Sequence, residues 1–206
     1  MGHQADYDAG LDLSIPIGTV TVQSDQMPWK MVSTRVDSAT GYNRTVGVYD
    51  LSQFNQPYFD RLRTRVLYAV NHGVTPFIMF FVCDDTTMSW SAIGHPYFNG
   101  NNINGVNCDT NANYIVEECY TLLDTTAGKQ ITAYQDSYIR KLVDTLNDID
   151  GIIWEPANEV PSTWRLYDAN YRAWVYHVSD VITAHERTGG RKIHPVYLSP
   201  LSLIHI

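Results

Sequence analysis

Ile152-Ile153-Trp154-Glu155-Pro156-Ala157-Asn158-Glu159-Val160 is the stretch whose reading decides the fold. It opens on apolar residues with no polar alternation, and it ends on a paired amide and carboxylate. A short continuous apolar run suits a strand buried on both faces, as in a parallel sheet. The Asn158-Glu159 pair then falls at the carboxyl end of that strand.

The same logic extends outward from this strand. Tyr134, Tyr138, Ile139, Leu142, Val143 and Leu146 recur at helical spacing just before it. Further upstream, Phe59, Leu62, Val66 and Val70 mark a helix over Pro57 to Gly73, with Asn55 as N-cap and Gly73 as terminator. The run Phe77-Ile78-Met79-Phe80-Phe81-Val82 follows as another buried strand. Downstream, Tyr171, Trp174, Val175, Val178 and Ile182 line a third helix that Gly189-Gly190 closes, and Ile193 to Leu198 reads as the next strand. Pro195 weakens that last strand, because it removes a ladder donor. Helices alternating with buried strands predict an α/β fold with a parallel sheet.

The connections are unequal. Helix-to-strand turns are short, whereas Cys83 to about Thr132 is a long polar excursion rich in Gly and Asn. Long loops after strands at one end of a barrel are where such folds build sites. No Gly-rich phosphate loop follows any strand, which disfavours the doubly wound alternative. Before Asn55, Thr19 to Val22 and Thr45 to Tyr49 have edge-strand character, but the region reads as an elaborated N-terminal segment of loop type.

The 206 residues, 44% of them hydrophobic, suffice for one core. Lys and Arg total 14 against 22 Asp and Glu, for a net charge of −8. That balance disfavours nucleic acid, since no basic field exists to displace phosphate counterions. No apolar stretch is long enough for a bilayer, and no signal peptide is visible at Met1 to Asp6. The chain is expected to be soluble, with its compartment and oligomeric state left open. Cys83, Cys108 and Cys119 lack the close pairing of a zinc ribbon or redox motif, although Cys108–Cys119 could close a loop. No metal and no cofactor is expected.

The strand ending in Asn158-Glu159 resembles the fourth strand of clan A glycoside hydrolases, the cellulase and mannanase-like (β/α)8-barrel group. Ile152, Ile153, Trp154, Glu155, Asn158, Glu159 and Val160 fit that signature, while Pro156 and Pro161 depart from it. Tyr49 to Asp60, Gly94 to Gly105 and His194-Pro195-Val196 are similar to further segments of the same group, so the resemblance covers most of Tyr49 to Leu198. It implies a partial TIM barrel, roughly strands three to five with their helices, over residues 1–200. It also implies an enzyme, a retaining glycosidase acting on a β-linked oligo- or polysaccharide.

The resemblance assigns the catalytic acid/base to Glu159 and contact with the sugar 2-hydroxyl to Asn158. His95 and Trp90 would lie near the sugar, with loop packing as the alternative for each. Protonating a poor leaving-group oxygen near neutral pH needs a carboxyl with a raised pKa, and an apolar strand tip suits that. Glu155 is not the second carboxylate: four strand residues span about 13 Å, more than either geometry of a glycosidase pair allows. Asp84 and Asp85 follow a strand and could line the pocket or simply form a turn. Trp154 is expected in the core, Trp164 in helix packing, and Glu117-Glu118 on a solvated helical face.

The resemblance puts the nucleophile, a Glu, at the end of a seventh strand. Three further strand–helix units of roughly 30 residues each do not fit after Glu159, so the nucleophile is expected outside this chain. Leu201 to Ile206 resembles a translated sequencing adaptor and is read as a non-native tail. The alternative expectation is a non-catalytic carbohydrate-binding, or inert, barrel-derived fragment.

Overall fold

A computed structural model describes residues 27–38, 43–82, 94–121, 125–158 and 169–198. The elements in chain order are strands β1 (Trp29–Asp37) and β2 (Arg44–Phe54), helix α1 (Gln56–Asn71), strand β3 (Phe77–Val82), helix α2 (Thr126–Leu146), strand β4 (Ile153–Asn158) and helix α3 (Ala169–Glu186). A 3-10 turn, Glu117–Tyr120, lies between β3 and α2.

β3 and β4 pair in parallel, from Phe77 opposite Ile153 to Val82 opposite Asn158. The segment at 193–198 joins on the far side of β4 through a parallel bridge between Trp154 and Val196. Trp154 donates its amide to the Pro195 carbonyl at 2.9 Å, and its carbonyl accepts from Tyr197 at 2.7 Å. Pro195 thus serves as an acceptor in the ladder, the one role its missing N–H leaves it. Three parallel segments therefore lie side by side in chain order, and helices link them. The described residues form an α/β chain with small sheets and no closed barrel.

The predicted helical faces are the buried ones. Phe59 and Val66 of α1, Tyr138, Ile139, Leu142, Val143 and Leu146 of α2, and Tyr171, Trp174, Val175, Val178 and Ile182 of α3 are all buried. Each large side chain so buried contributes roughly 1.5–3 kcal/mol of apolar transfer. Trp154 is fully buried against Phe80, ring centroids 5.4 Å apart. Phe81 meets Trp174 of α3 at 5.2 Å. Thr125 caps α2, its hydroxyl accepting from the Gly128 amide at 3.0 Å. Asn55 occupies the N-cap of α1 without a side-chain cap bond. Its amide instead reaches back to the Met27 carbonyl at 2.9 Å.

The segment before Asn55 departs from its expected loop character, and the edge-strand candidate Thr45 to Tyr49 lies within β2. β1 and β2 form an antiparallel ribbon from Trp29 opposite Phe54 to Asp37 opposite Arg44, with register shifts between Trp29 and Lys30 and between Met31 and Ser33. β1 carries no apolar alternation, since Val32, Ser33, Thr34 and Val36 are exposed, so its sequence gives no strand signal. What holds it is backbone pairing, a hydrogen bond from Arg35 to Asn101 at 2.8 Å and the burial of Trp29. Trp29 is buried and stacks on Phe54 at 5.1 Å, while Tyr138 of α2 lies 6.4 Å away. Thr19 to Val22, the other edge-strand candidate, lies outside the described residues.

A polar cluster ties β4 and the 193–198 segment to the ends of α2 and α3, at the amino-terminal side of the sheet. The Glu186 carboxylate at the end of α3 accepts from Trp154 Nε1 at 2.7 Å, from Asn147 Nδ2 at 3.0 Å and from the His194 amide at 3.1 Å. His194 Nδ1 lies 2.7 Å from the same carboxylate, and Nε2 lies 2.9 Å from the Ile149 carbonyl. Both ring nitrogens thus face protein oxygens. Removing one partner from a buried cluster of this kind leaves the others unsatisfied. Glu186→Ala is expected to lower unfolding free energy by about 3–5 kcal/mol in urea denaturation. A loss below about 1 kcal/mol would show that the cluster is not needed for stability.

Candidate functional site

Asn158 is the last residue of β4 and stands opposite Val82, the last residue of β3. Both strands therefore end at one level, and Asn158 sits half-buried at the carboxyl edge of the parallel pair. In sheets of this type that edge is where ligands meet the protein. Glu159, Trp90, Asp84, Asp85 and Trp164 lie outside the described residues. Glu155 is buried within the sheet opposite Met79, three residues back from the edge. About 10 Å of strand separates it from Asn158.

His95 lies inside the loop over residues 94–121. Its imidazole is 8% exposed and contacts Tyr97 and, edge-on, Tyr120, with ring centroids 5.5 and 6.3 Å away. Burial pushes the His95 pKa down to about 3, so the ring is neutral. Of its two expected roles, the surroundings are those of loop packing. Tyr120 in turn packs on Phe81 of β3 and Trp174 of α3, at 6.3 and 5.3 Å. The loop core is thus fastened to the same strand that ends beside Asn158.

Asn and Gln side chains hold this loop in shape. Asn102 Oδ1 accepts from the Val106 amide at 2.9 Å, and Nδ2 donates to the carbonyls of Pro96 and Val106 at 3.0 Å. Asn101 Nδ2 donates to the His95 carbonyl at 3.0 Å, and its Oδ1 accepts from Arg35 of β1 at 2.8 Å. Gln135 of α2 donates to the Cys119 carbonyl at 2.6 Å and accepts from Trp174 Nε1 at 2.9 Å. The composition that reads as generic turn sequence is an internal polar scaffold.

One expectation about this loop needs correction. Glu117-Glu118 do not lie on a solvated helical face: the segment is a 3-10 turn and Glu118 is buried. The tight turn swings Glu118 inward, where one carboxylate oxygen accepts from the Thr110 amide and hydroxyl and from the Asn111 amide at 3.1–3.3 Å. Cys108 and Cys119 are buried thiols with no disulfide.

A groove of about 670 Å3 lined by Thr75, Gly151, Ile153, Lys192 and Ile193 lies at the opposite, amino-terminal end of β4. Of its lining residues, Lys192 and Asp150 pair with each other, Lys192 also donates to the Asp148 carbonyl, and His194 is engaged by Glu186 and the Ile149 carbonyl. The carboxyl edge is the better candidate. Among the described residues no helix is long and apolar enough to cross a membrane. No family model, no curated protein and no solved structure matches the chain.

Burial raises the Glu118 pKa above the ordinary carboxylate value. The folded chain then holds its proton to a higher pH than the unfolded chain does. Glu118's contribution is accordingly most favourable below about pH 4.3, the unfolded value, and is lost as pH rises through the folded value. Glu118→Gln keeps an acceptor oxygen and removes the buried charge. Its urea midpoint at neutral pH is expected to equal or exceed that of the parent, with a flatter acid limb. A lower midpoint would mean that the charge itself is stabilising.

Proposed function

We propose that β3, β4 and the 193–198 segment are strands three to five of a (β/α)8 barrel, and that the chain carries the acid/base half of a retaining glycoside hydrolase. The observation that supports this reading is the position of Asn158, half-buried at the carboxyl edge of a parallel pair and directly followed in sequence by Glu159. A strand end of this kind aims polar groups into a shared space rather than into the sheet.

In this reading Glu159 protonates the departing glycosidic oxygen while a second carboxylate, outside this chain, attacks the anomeric carbon. Glu159 then takes a proton from the water that hydrolyses the glycosyl-enzyme. Asn158 donates to the 2-hydroxyl, a bond that strengthens as positive charge develops on the sugar ring. No cofactor enters the reaction. The substrate is a β-linked oligo- or polysaccharide. Its sugar is set by side chains of the loops around the edge.

The test is hydrolysis of β-glycosides by the chain together with the segment that supplies the nucleophile. Glu159→Gln is expected to lower kcat by about 10²–10⁴-fold on substrates with poor leaving groups. The loss should be far smaller where the leaving group departs without protonation. Undiminished turnover on the poor leaving groups would remove Glu159 from the mechanism.

A further inference from the structure

We infer that His95, Cys108 and Cys119 form a buried binding site for one zinc ion, which fastens the 94–121 loop. The three ligand atoms lie within 4.8 Å of one another and all three residues are buried. His95 Nδ1 is 3.9 Å from Cys108 Sγ and 4.0 Å from Cys119 Sγ. In tetrahedral zinc sites the bond lengths put neighbouring ligand atoms roughly 3.5–3.8 Å apart. The cluster needs to contract by a few tenths of an ångström on each nitrogen–sulfur edge and by at most about 1 Å on the sulfur–sulfur edge.

The backbone around each ligand is already fixed. Cys108 donates its amide to the Tyr97 carbonyl at 2.9 Å, and Cys119 donates to the Val116 carbonyl at 3.0 Å. The His95 carbonyl accepts from Asn101 Nδ2 and from the Phe98 amide, both at 3.0 Å. The imidazole is also in the right tautomer. Nδ1 accepts from the Tyr97 amide at 3.2 Å and so carries no proton, while Nε2 is directed at the Tyr120 hydroxyl at 3.4 Å. A metal at Nδ1 would exchange that long amide bond for a coordinate one, with Tyr120 as the outer partner that orients the ring.

Charge selects the ion. Binding displaces two thiol protons, and two thiolates with a neutral imidazole cancel a dication, leaving a buried site with no net charge. A monovalent copper ion would leave one negative charge uncompensated. Calcium and magnesium prefer oxygen ligands and are unsuited to sulfur. The Tyr97 hydroxyl is buried without a hydrogen-bond partner. The fourth position falls to a water, as in zinc sites with three protein ligands.

This inference does not depend on the hydrolase reading, because the ion holds a loop and takes no part in proton transfer. The experiment is elemental analysis of the reduced full chain, together with cobalt(II) titration of the same sample. The expected result is about one zinc per chain, with cobalt giving a thiolate charge-transfer band and tetrahedral visible bands that saturate at about one equivalent. Cys108→Ala alone should weaken metal binding by at least about tenfold, and Cys108→Ala with Cys119→Ala should abolish the charge-transfer band. Absence of that band at saturating cobalt would overturn the proposal, whether or not a variant folds. So would a band that survives in the double variant. A chain isolated two hydrogens lighter, with Cys108 and Cys119 cross-linked in one peptide, would make the pair a disulfide and overturn it equally.

Discussion

The Glu186 carboxylate is the constraint on which the rest of the parallel unit depends. It gathers four polar groups from three places in the chain: Trp154 in β4, Asn147 after α2, and the amide and ring of His194 in the next segment. Each of these could be satisfied by water only if the core opened. The cluster therefore fixes how far α3 sits from β4 and in what register residues 193–198 approach. A purely apolar contact would resist separation but would tolerate sliding, whereas hydrogen bonds to one carboxylate do not. Asn158 inherits its position at the far end of β4 from that registration.

Much of the helix–strand alternation was legible in the sequence because buried faces impose periodicity. Phe59 and Val66, or Ile139 and Val143, announce a helix since one side must leave water. Phe77 to Val82 announces a strand because both faces do. Of the antiparallel ribbon, Thr45 to Tyr49 showed edge-strand character and lies within β2, whereas β1 was not legible. Its residues Ser33 and Thr34 face solvent, so no alternation records the pairing, and its buried residues, Trp29 and Asp37, stand at its two ends. Glu186 and His194 were equally silent, because a buried carboxylate looks like a surface one until its donors are located.

For the candidate site, the sequence identified Asn158 at a strand end, and β4 does end there. Glu159 and Trp90 rest on the motif and the resemblance alone. His95 was singled out as a possible sugar neighbour, yet its surroundings are two tyrosines and two thiols. The cysteines gave no signal because their spacing, Cys108 to Cys119 with His95 upstream, matches no short metal motif. Chain folding within the loop, through Asn101 and Asn102, together with Gln135 of α2, is what makes them neighbours. Spacing rules detect ligands that share one turn and miss those assembled by a longer path.

The bond pair between Tyr49 and the 94–121 loop bears on how this chain meets copies of itself. Tyr49 donates its amide to Asn101 and accepts from Ile103, a parallel bridge on the side of β2 away from β1. A two-stranded ribbon normally offers both outer edges as templates for a further strand. Here one edge is blocked midway by the chain's own loop. The other, on β1, carries two register shifts and the charged side chains of Lys30 and Arg35, irregularities of the kind that discourage strand addition. The ribbon is thereby guarded against edge-to-edge association on both sides, and the exposed polar face that hid β1 from prediction serves that protection.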